Sequence, residues 1–135
     1  MYRNIKFLLF LASILCLIGL FIYNHNPNQK WIIHNIKYSF HGIIIEKVDV
    51  RKGVLSHAKI KIGQKDTLIF LNKVEMVSIG DSIKKFTNSP FYYYKHNGLW
   101  HKQVFEIISQ DLQNSKNFPK DWKNKCDGEW KEACL

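Results

Sequence analysis

The first hydrophobic segment of the chain is the uninterrupted run FLLFLASILCLIGLFIY, residues 7–23. It contains neither a charged residue nor a proline, and as a helix it would be about 26 Å long, close to the thickness of a bilayer core. No Ala-x-Ala cleavage site follows it, which favours a retained anchor over a cleaved signal peptide. The pattern predicts a transmembrane helix over 7–23.

Charged residues on either side of this run predict its orientation. Arg3, Lys6 and the terminal amine precede it, whereas only Lys30 and Lys37 lie within about fifteen residues after it. We therefore expect residues 1–6 in the cytoplasm and the following domain outside, in a single-pass protein of the bacterial inner membrane. Residues 24–37 are predicted to form a linker.

Alternating hydrophobic and polar residues begin at Tyr38 and predict β-strands. Strands are expected over 38–50, in VLSHAKIKI after a turn at Gly53, and in TLIFLN. FYYYKH and LWHKQVFEI flank Asn97-Gly98, a dipeptide typical of two-residue hairpin turns, and supply two more strands. Because a small five-stranded sheet avoids bare edges by curling, we predict a mainly all-β protein in which residues 38–113 form an antiparallel barrel of the OB-like or SH3-like kind.

The C-terminal tail, residues 114–135, has two interpretations. Trp122, Cys126, Trp130 and Cys134 recur every fourth residue, as on one face of a helix, but Gly128 interrupts the pattern. On an unbroken helix the two cysteines would be about 12 Å apart, too far for a disulfide, whereas a turn at Gly128 would let them meet. The tail is therefore predicted to be short and either helical or bridged by Cys126 and Cys134. A zinc site is disfavoured by the spacing.

The segment IGDSI raises a catalytic alternative, because Gly80-Asp81-Ser82 resembles the nucleophile block of GDS-type serine hydrolases. No downstream Asp has His three residues later, and no Gly-x-Asn-Asp block is present to supply an oxyanion donor. We predict instead a bend in which Ile79 and Ile83 enter the core and the Asp side chain caps backbone amides. No enzyme activity, cofactor or metal site is predicted.

Eighteen lysines and two arginines give the chain a formal net charge of +9. Because bidentate recognition of bases and phosphates favours Arg, this composition disfavours specific nucleic-acid recognition. The hairpin formed by FYYYKH and LWHKQVFEI, the aromatic hairpin, carries rings and lysines that have two interpretations. The rings either stack on sugar rings or bases of a ligand, or pack in the core and across strands. The candidate binding surface consists of Phe91, Tyr92, Tyr93, Tyr94, Lys95, Trp100 and Lys102.

The segments SFHGIIIEKVDVRKG, AKIKI, TLIFL, VSIGDSIKK and NSPFYYYK, followed by the Asn-Gly turn, resemble a group of short, uncharacterised bacterial envelope proteins. These share an I-x-x-GDSI-x-K segment before an aromatic strand. The resemblance covers roughly residues 38–98 and implies a small β-domain on an N-terminal anchor or export signal, with no known activity.

We therefore predict a membrane-anchored envelope protein that acts as a non-catalytic binding or scaffold module. Its partner is expected to be another envelope protein or an anionic envelope polymer, reached through lysines and the aromatic hairpin. The alternatives are an OB-like domain that binds single-stranded nucleic acid or another ligand, and a GDS-type serine hydrolase.

Overall fold

A computed structural model describes residues 10–19, 27–51 and 53–135. The chain divides into two compact units, Met1–Trp31 and Ile32–Leu135. Residues 10–19 are helical, and helix α1 begins at Pro27 and ends at Lys37. A helix therefore occupies most of the segment predicted as a linker over 24–37.

The predicted membrane span is not supported by the described residues. Over 10–19, 27–51 and 53–135, no helix combines the length and the apolar character needed to cross a bilayer. The predicted transmembrane anchor over 7–23 is therefore wrong, and so is the predicted single-pass location in the inner membrane. Residues 7–9 and 20–23 of that span lie outside the described residues.

Six strands of the second unit form one antiparallel sheet in the order β3-β2-β1-β4-β5-β6. Three short helical segments follow β3 or β6: a 3-10 turn, Val74–Met76, and helices α2, Gln110–Gln113, and α3, Lys120–Cys126. The strands are β1, Phe40–Arg51; β2, Val54–Ile62; β3, Lys65–Phe70; β4, Ser82–Lys85; β5, Phe91–His96; and β6, Leu99–Val104.

The predicted five-stranded barrel is wrong, because the sheet has six strands and stays open. The additional strand is β4, which pairs with β1 on one side and β5 on the other. β4 thus joins two three-stranded meanders, β1-β2-β3 and β4-β5-β6, and leaves β3 and β6 at opposite edges.

Apolar clusters cover both faces of the sheet, while its two edge strands, β3 and β6, stay open. Because successive β5 side chains point to opposite faces, Tyr92 and Tyr94 enter one cluster while Phe91 enters the other. The first cluster is Phe40, Ile44, Ala58, Ile60, Ile69, Leu71, Val74, Val77, Ile83, Tyr92, Tyr94 and Phe105. The second combines α1 with the C-terminal segment and contains Ile33, Ile36, Phe91, Ile108, Leu112, Phe118, Trp122, Cys126, Trp130 and Ala133.

Glycines fix the backbone at two points of the sheet. A Cβ at Gly42 of β1 would lie 2.5 Å from the carbonyl oxygen of Lys61 in β2, so only glycine fits there. At the β5-β6 turn, Asn97 and Gly98 have φ angles of 49° and 83°, as a type I′ turn requires. The predicted hairpin at Asn97-Gly98 is therefore confirmed.

The bend at Gly80 differs in one respect from the prediction. Ile83 is buried, as expected, but the Ile79 side chain is 66% exposed, so its predicted place in the core is wrong. Asp81 does cap the bend, because its Oδ2 accepts a hydrogen bond from the Ser78 N–H at 2.8 Å. Ile79 lies within the turn itself, where the alternation of a strand no longer decides which way a side chain points.

Two buried charged side chains, Lys85 of β4 and Glu106, both form hydrogen bonds with α1. The Lys85 Nζ donates to the carbonyl oxygens of Ile36 at 2.9 Å and Tyr38 at 2.6 Å. Burial lowers the pKa of Lys85 to about 8, against an opposing effect of Glu106. Burial also raises the pKa of Glu106, whose Oε1 accepts a hydrogen bond from Asn35 at 2.6 Å. Lys85 thus supplies donors at the end of α1, to the carbonyl of Tyr38 just beyond the helix and to that of Ile36, which also accepts from the Ser89 N–H at 3.1 Å.

The C-terminal segment folds back on itself after α3. Cys126 and Cys134 form a disulfide with their Cα atoms 5.5 Å apart, so the predicted bridge is present. A turn from residue 127 replaces the continuous helix that would have kept the two cysteines apart. The returning chain forms a parallel bridge from Cys134 to Ile108.

Candidate binding cleft

The sheet separates the residues of the predicted binding surface. Tyr92 and Tyr94 are buried in the first cluster, and the Tyr92 hydroxyl donates to the carbonyl oxygen of Asn72 at 2.9 Å. Phe91 is buried in the second cluster, and Tyr93 packs against that cluster while remaining half-buried. Tyr92 and Tyr94 therefore serve the core, on the face opposite Phe91 and Tyr93.

The other three residues of the predicted surface lie on the face of Phe91 and Tyr93. Lys102 pairs with Tyr93, and Trp100 pairs with Lys95, so each pair shares one side of the sheet. Lys95, Trp100 and Lys102 are all exposed. We call this side of β4, β5 and β6 the lysine face.

Lys84 also belongs to the lysine face, although the sequence pattern did not reveal it. The Lys84 Nζ lies 3.9 Å from the ring centroid of Trp100 and 5.4 Å from that of Phe86. At exposed sites such cation–π contacts contribute about 0.5 to 1 kcal/mol. SIKK alone does not predict this position, because Lys85 is charged but buried and the four residues therefore show no alternation of apolar and polar side chains.

A cleft of about 310 Å³ opens beside Lys102, where the lysine face meets the C-terminal segment. Its volume is at the lower end of the range for small-ligand sites. It therefore has room for one residue-sized group of a ligand. Its walls are formed by Phe86, Asn88, Ser89, Phe91, Tyr93, Lys102, Lys125, Glu129 and Trp130.

Both lysines of the cleft are paired with carboxylates of the chain itself. The Lys102 Nζ lies 2.9 Å from Glu132 Oε2, and the Lys125 Nζ lies 3.1 Å from Glu129 Oε1. The two glutamate side chains are 65% and 62% exposed, and such surface pairs contribute only about 0 to 1 kcal/mol. An incoming carboxylate can therefore replace either glutamate at little energetic cost.

Aromatic rings hold these two ammonium groups at the wall of the cleft. The Lys102 Nζ lies 4.4 Å from the ring centroid of Phe91, and the Lys125 Nζ lies 5.1 Å from that of Trp130. Since the faces of aromatic rings attract cations, both lysines keep a position when their glutamates leave. The two ammonium groups are thus positioned by ring contacts as well as by their glutamates.

The disulfide fixes the wall that the C-terminal segment contributes. Glu129 and Trp130 lie inside the bridged loop, and Lys125 immediately precedes it. The Trp130 N–H donates to the Lys125 carbonyl oxygen at 2.8 Å, and the Trp130 ring meets Trp122 edge-on at 5.4 Å. The C-terminal wall is therefore a packed and cross-linked element.

Ser82 lies apart from the nearby acid–histidine pair. The Asp81 Oδ1 is 3.0 Å from the Nδ1 of His96, whereas Ser82 pairs with Lys95 across the β4-β5 ladder. Because Lys95 and His96 are successive residues of β5, they point to opposite faces. Among the described residues, no group of three or more His, Cys, Asp or Glu side chains could hold a metal ion.

Comparisons of the chain with protein-family models, with curated proteins and with solved structures found no match. The resemblance to short envelope proteins accordingly stays a prediction. Function is inferred below from the geometry and charge of the cleft.

Proposed function

We propose that this protein is a non-catalytic binding module whose cleft takes a ligand that carries carboxylates. The observation that carries the proposal is that Lys102 and Lys125 each already hold a carboxylate of the chain, from Glu132 and Glu129, at 2.9 and 3.1 Å. Both glutamates are mostly exposed, so a ligand carboxylate competes with a weakly held group.

The walls of the cleft define the rest of the ligand. Phe86 and Tyr93 offer aromatic surface, and the buried rings of Phe91 and Trp130 lie behind the lysines. Such surface suits the aliphatic stem or ring that bears a carboxylate. Asn88 and Ser89 add polar groups beside them. Since the cleft has room for one residue-sized group, the ligand is recognised as one unit of a longer polymer, and the net charge of +9 speeds the approach of a polyanion.

Carboxylate is favoured over phosphate by the residues that are present. The cations of the cleft are lysines, which act as point charges, and the bidentate arginines that dominate phosphate recognition do not line it. The OB-like barrel that motivated a nucleic-acid function is replaced by an open sheet. A phosphate polymer is therefore included among the test ligands, as the competing chemistry.

The proposal is tested by titrating the 135-residue chain, with its disulfide intact, with three polyanions at 50 mM NaCl. Poly-L-glutamate and polygalacturonate supply carboxylates from a peptide and from a glycan, and a twelve-residue oligo-dT supplies phosphates. We expect binding of at least one carboxylate polymer, weakened at least tenfold by the double change Lys102→Glu with Lys125→Glu.

The matched control is the double change Lys65→Glu with Lys116→Glu, which alters net charge equally at two exposed sites away from the cleft. It should weaken binding less than threefold. The proposal is overturned if neither carboxylate polymer binds, if only oligo-dT binds, or if the control loses as much affinity as the cleft variant.

A further inference from the structure

We infer that the ligand is an acidic polypeptide segment that adds to the sheet as a seventh strand, antiparallel to β6. The inference rests on the proposed function, because Lys102 belongs both to the wall of the cleft and to β6. A strand laid along β6 therefore passes directly beside the cleft.

β6 presents an open backbone edge. It is the last strand of the sheet, with β5 as its neighbour, and every residue from Leu99 to Lys102 is exposed. In the two-residue turn the Leu99 N–H points towards His96 of β5. Since alternate residues of an antiparallel ladder point the opposite way, the N–H and C=O groups of Trp100 and Lys102 face the open edge.

The charge on this edge selects among possible partner strands. A lysine on an edge strand discourages pairing with a second copy of the same strand, because the like charges would meet. The same lysine favours a strand that carries a carboxylate opposite it. The other edge strand, β3, begins with Lys65 and Asp66, of opposite sign, and so offers no such preference.

The position of Lys102 predicts the pattern of the added segment. A residue opposite Lys102 projects its side chain to the same face of the sheet, which is the lysine face. Two residues along, the added strand meets Trp100, over whose ring the Lys84 Nζ lies at 3.9 Å. We therefore expect acidic residues at alternate positions of an extended segment, with the intervening side chains on the other face.

A synthetic heptapeptide that alternates Thr and Glu, with both ends blocked, tests the strand. The residue opposite Lys102 directs its own N–H towards β6, so N-methylation of the Glu residues should weaken binding at least tenfold. N-methylation of the Thr residues blocks only the N–H groups that face solvent and should change affinity less than threefold. The two methylated peptides have the same side chains and the same charge.

The matched protein variants are Lys102→Ala and Lys102→Pro. Both remove the ammonium group, but only proline also removes the N–H at the open edge, a position where edge strands tolerate proline. We expect Lys102→Pro to bind the unmodified peptide at least fivefold more weakly than Lys102→Ala, with unchanged near-UV circular dichroism. If Lys102→Pro does not fold, the two methylated peptides decide.

The failures of the two proposals are distinguishable. Equal binding of the Glu-methylated and Thr-methylated peptides, still abolished by Lys102→Glu with Lys125→Glu, overturns strand addition and leaves the carboxylate cleft supported. Binding of polygalacturonate without any binding of the heptapeptide or poly-L-glutamate also overturns it, since the ligand is then a glycan. Loss of all carboxylate binding overturns both.

Discussion

Lys85 and Glu106 are 2% and 7% exposed, and each stabilises the charged form of the other against burial. The Lys85 ammonium has a further role, because it also donates to three carbonyl oxygens, those of Ile36, Tyr38 and Phe86. The Lys85 side chain therefore both donates hydrogen bonds at the end of α1 and offsets the charge of the buried Glu106.

Replacement of this lysine should be strongly destabilising. Lys85→Met leaves the Tyr38 carbonyl without this donor, although the Ile36 carbonyl keeps its hydrogen bond from the Ser89 N–H. It also removes the positive charge that favours ionised Glu106, and leaving a buried charge uncompensated costs about 3 to 5 kcal/mol. The same substitution at the exposed Lys61 should change the free energy of unfolding by less than about 0.5 kcal/mol. Urea unfolding of both variants measures this, and a Lys85→Met loss below about 1 kcal/mol would contradict it.

The lowered pKa of Lys85 predicts how stability depends on pH. Between about pH 8, its value in the folded state, and 10.5, its ordinary value, the unfolded chain binds more protons at this group than the folded chain does. The free energy of unfolding contributed by Lys85 therefore rises with pH across this window. The difference in unfolding free energy between wild type and Lys85→Met should be larger at pH 9.5 than at pH 7. A flat or falling difference refutes the lowered pKa.

Gly42 should not tolerate a side chain. An alanine Cβ would lie 2.5 Å from the Lys61 carbonyl oxygen, so β1 and β2 must move apart, and overpacking of this kind costs about 1 to 3 kcal/mol. Gly128→Ala is the matched control, because the nearest atom to its Cβ would be the Asn124 carbonyl oxygen at 3.9 Å, an ordinary contact. Thermal unfolding should show a lower midpoint for Gly42→Ala alone, and equal midpoints would count against the close approach.

Loss of the disulfide should affect stability and binding together. The bridge closes a short loop between Cys126 and Cys134, and on the chain-entropy model it contributes about 2 to 3 kcal/mol. Changing both cysteines to serine should remove that amount, measured by urea unfolding, and should weaken poly-L-glutamate binding because Lys125 and Trp130 lose their fixed position. Exposed Cys16 provides the control, since Cys16→Ser should change neither quantity.

Most strands could be predicted from the sequence because their alternation is regular. The exceptions have physical causes. β4 was missed because Lys85 occupies a buried position, so SIKK shows no polar-outward pattern. α1 was missed because Pro27 was interpreted as part of a linker, although proline is favoured in the first turn of a helix, where its missing N–H is not needed.

Prediction of the site succeeded only for residues close together in the chain. The Asn97-Gly98 signal and the run of aromatic residues were sufficient to locate the hairpin, but FYYYK alone does not say that both of its faces are covered. Lys125, Glu129 and Trp130 reach the cleft only through the fold-back of the C-terminal segment, which depends on the Cys126–Cys134 bridge. No local pattern encodes that tertiary contact, so the cleft itself was not predicted.

The pairing of β1 with β4 has a consequence for folding kinetics. All other neighbouring strands of the sheet are consecutive in the chain, whereas this ladder joins Phe40 to Lys85 and Ile43 to Ser82. Closing a long loop costs more conformational entropy than closing a hairpin, so contacts distant in sequence form more slowly. We therefore expect the two meanders to form early and to pair along β1 and β4 late. The rate of that meeting then sets the folding rate of the whole sheet.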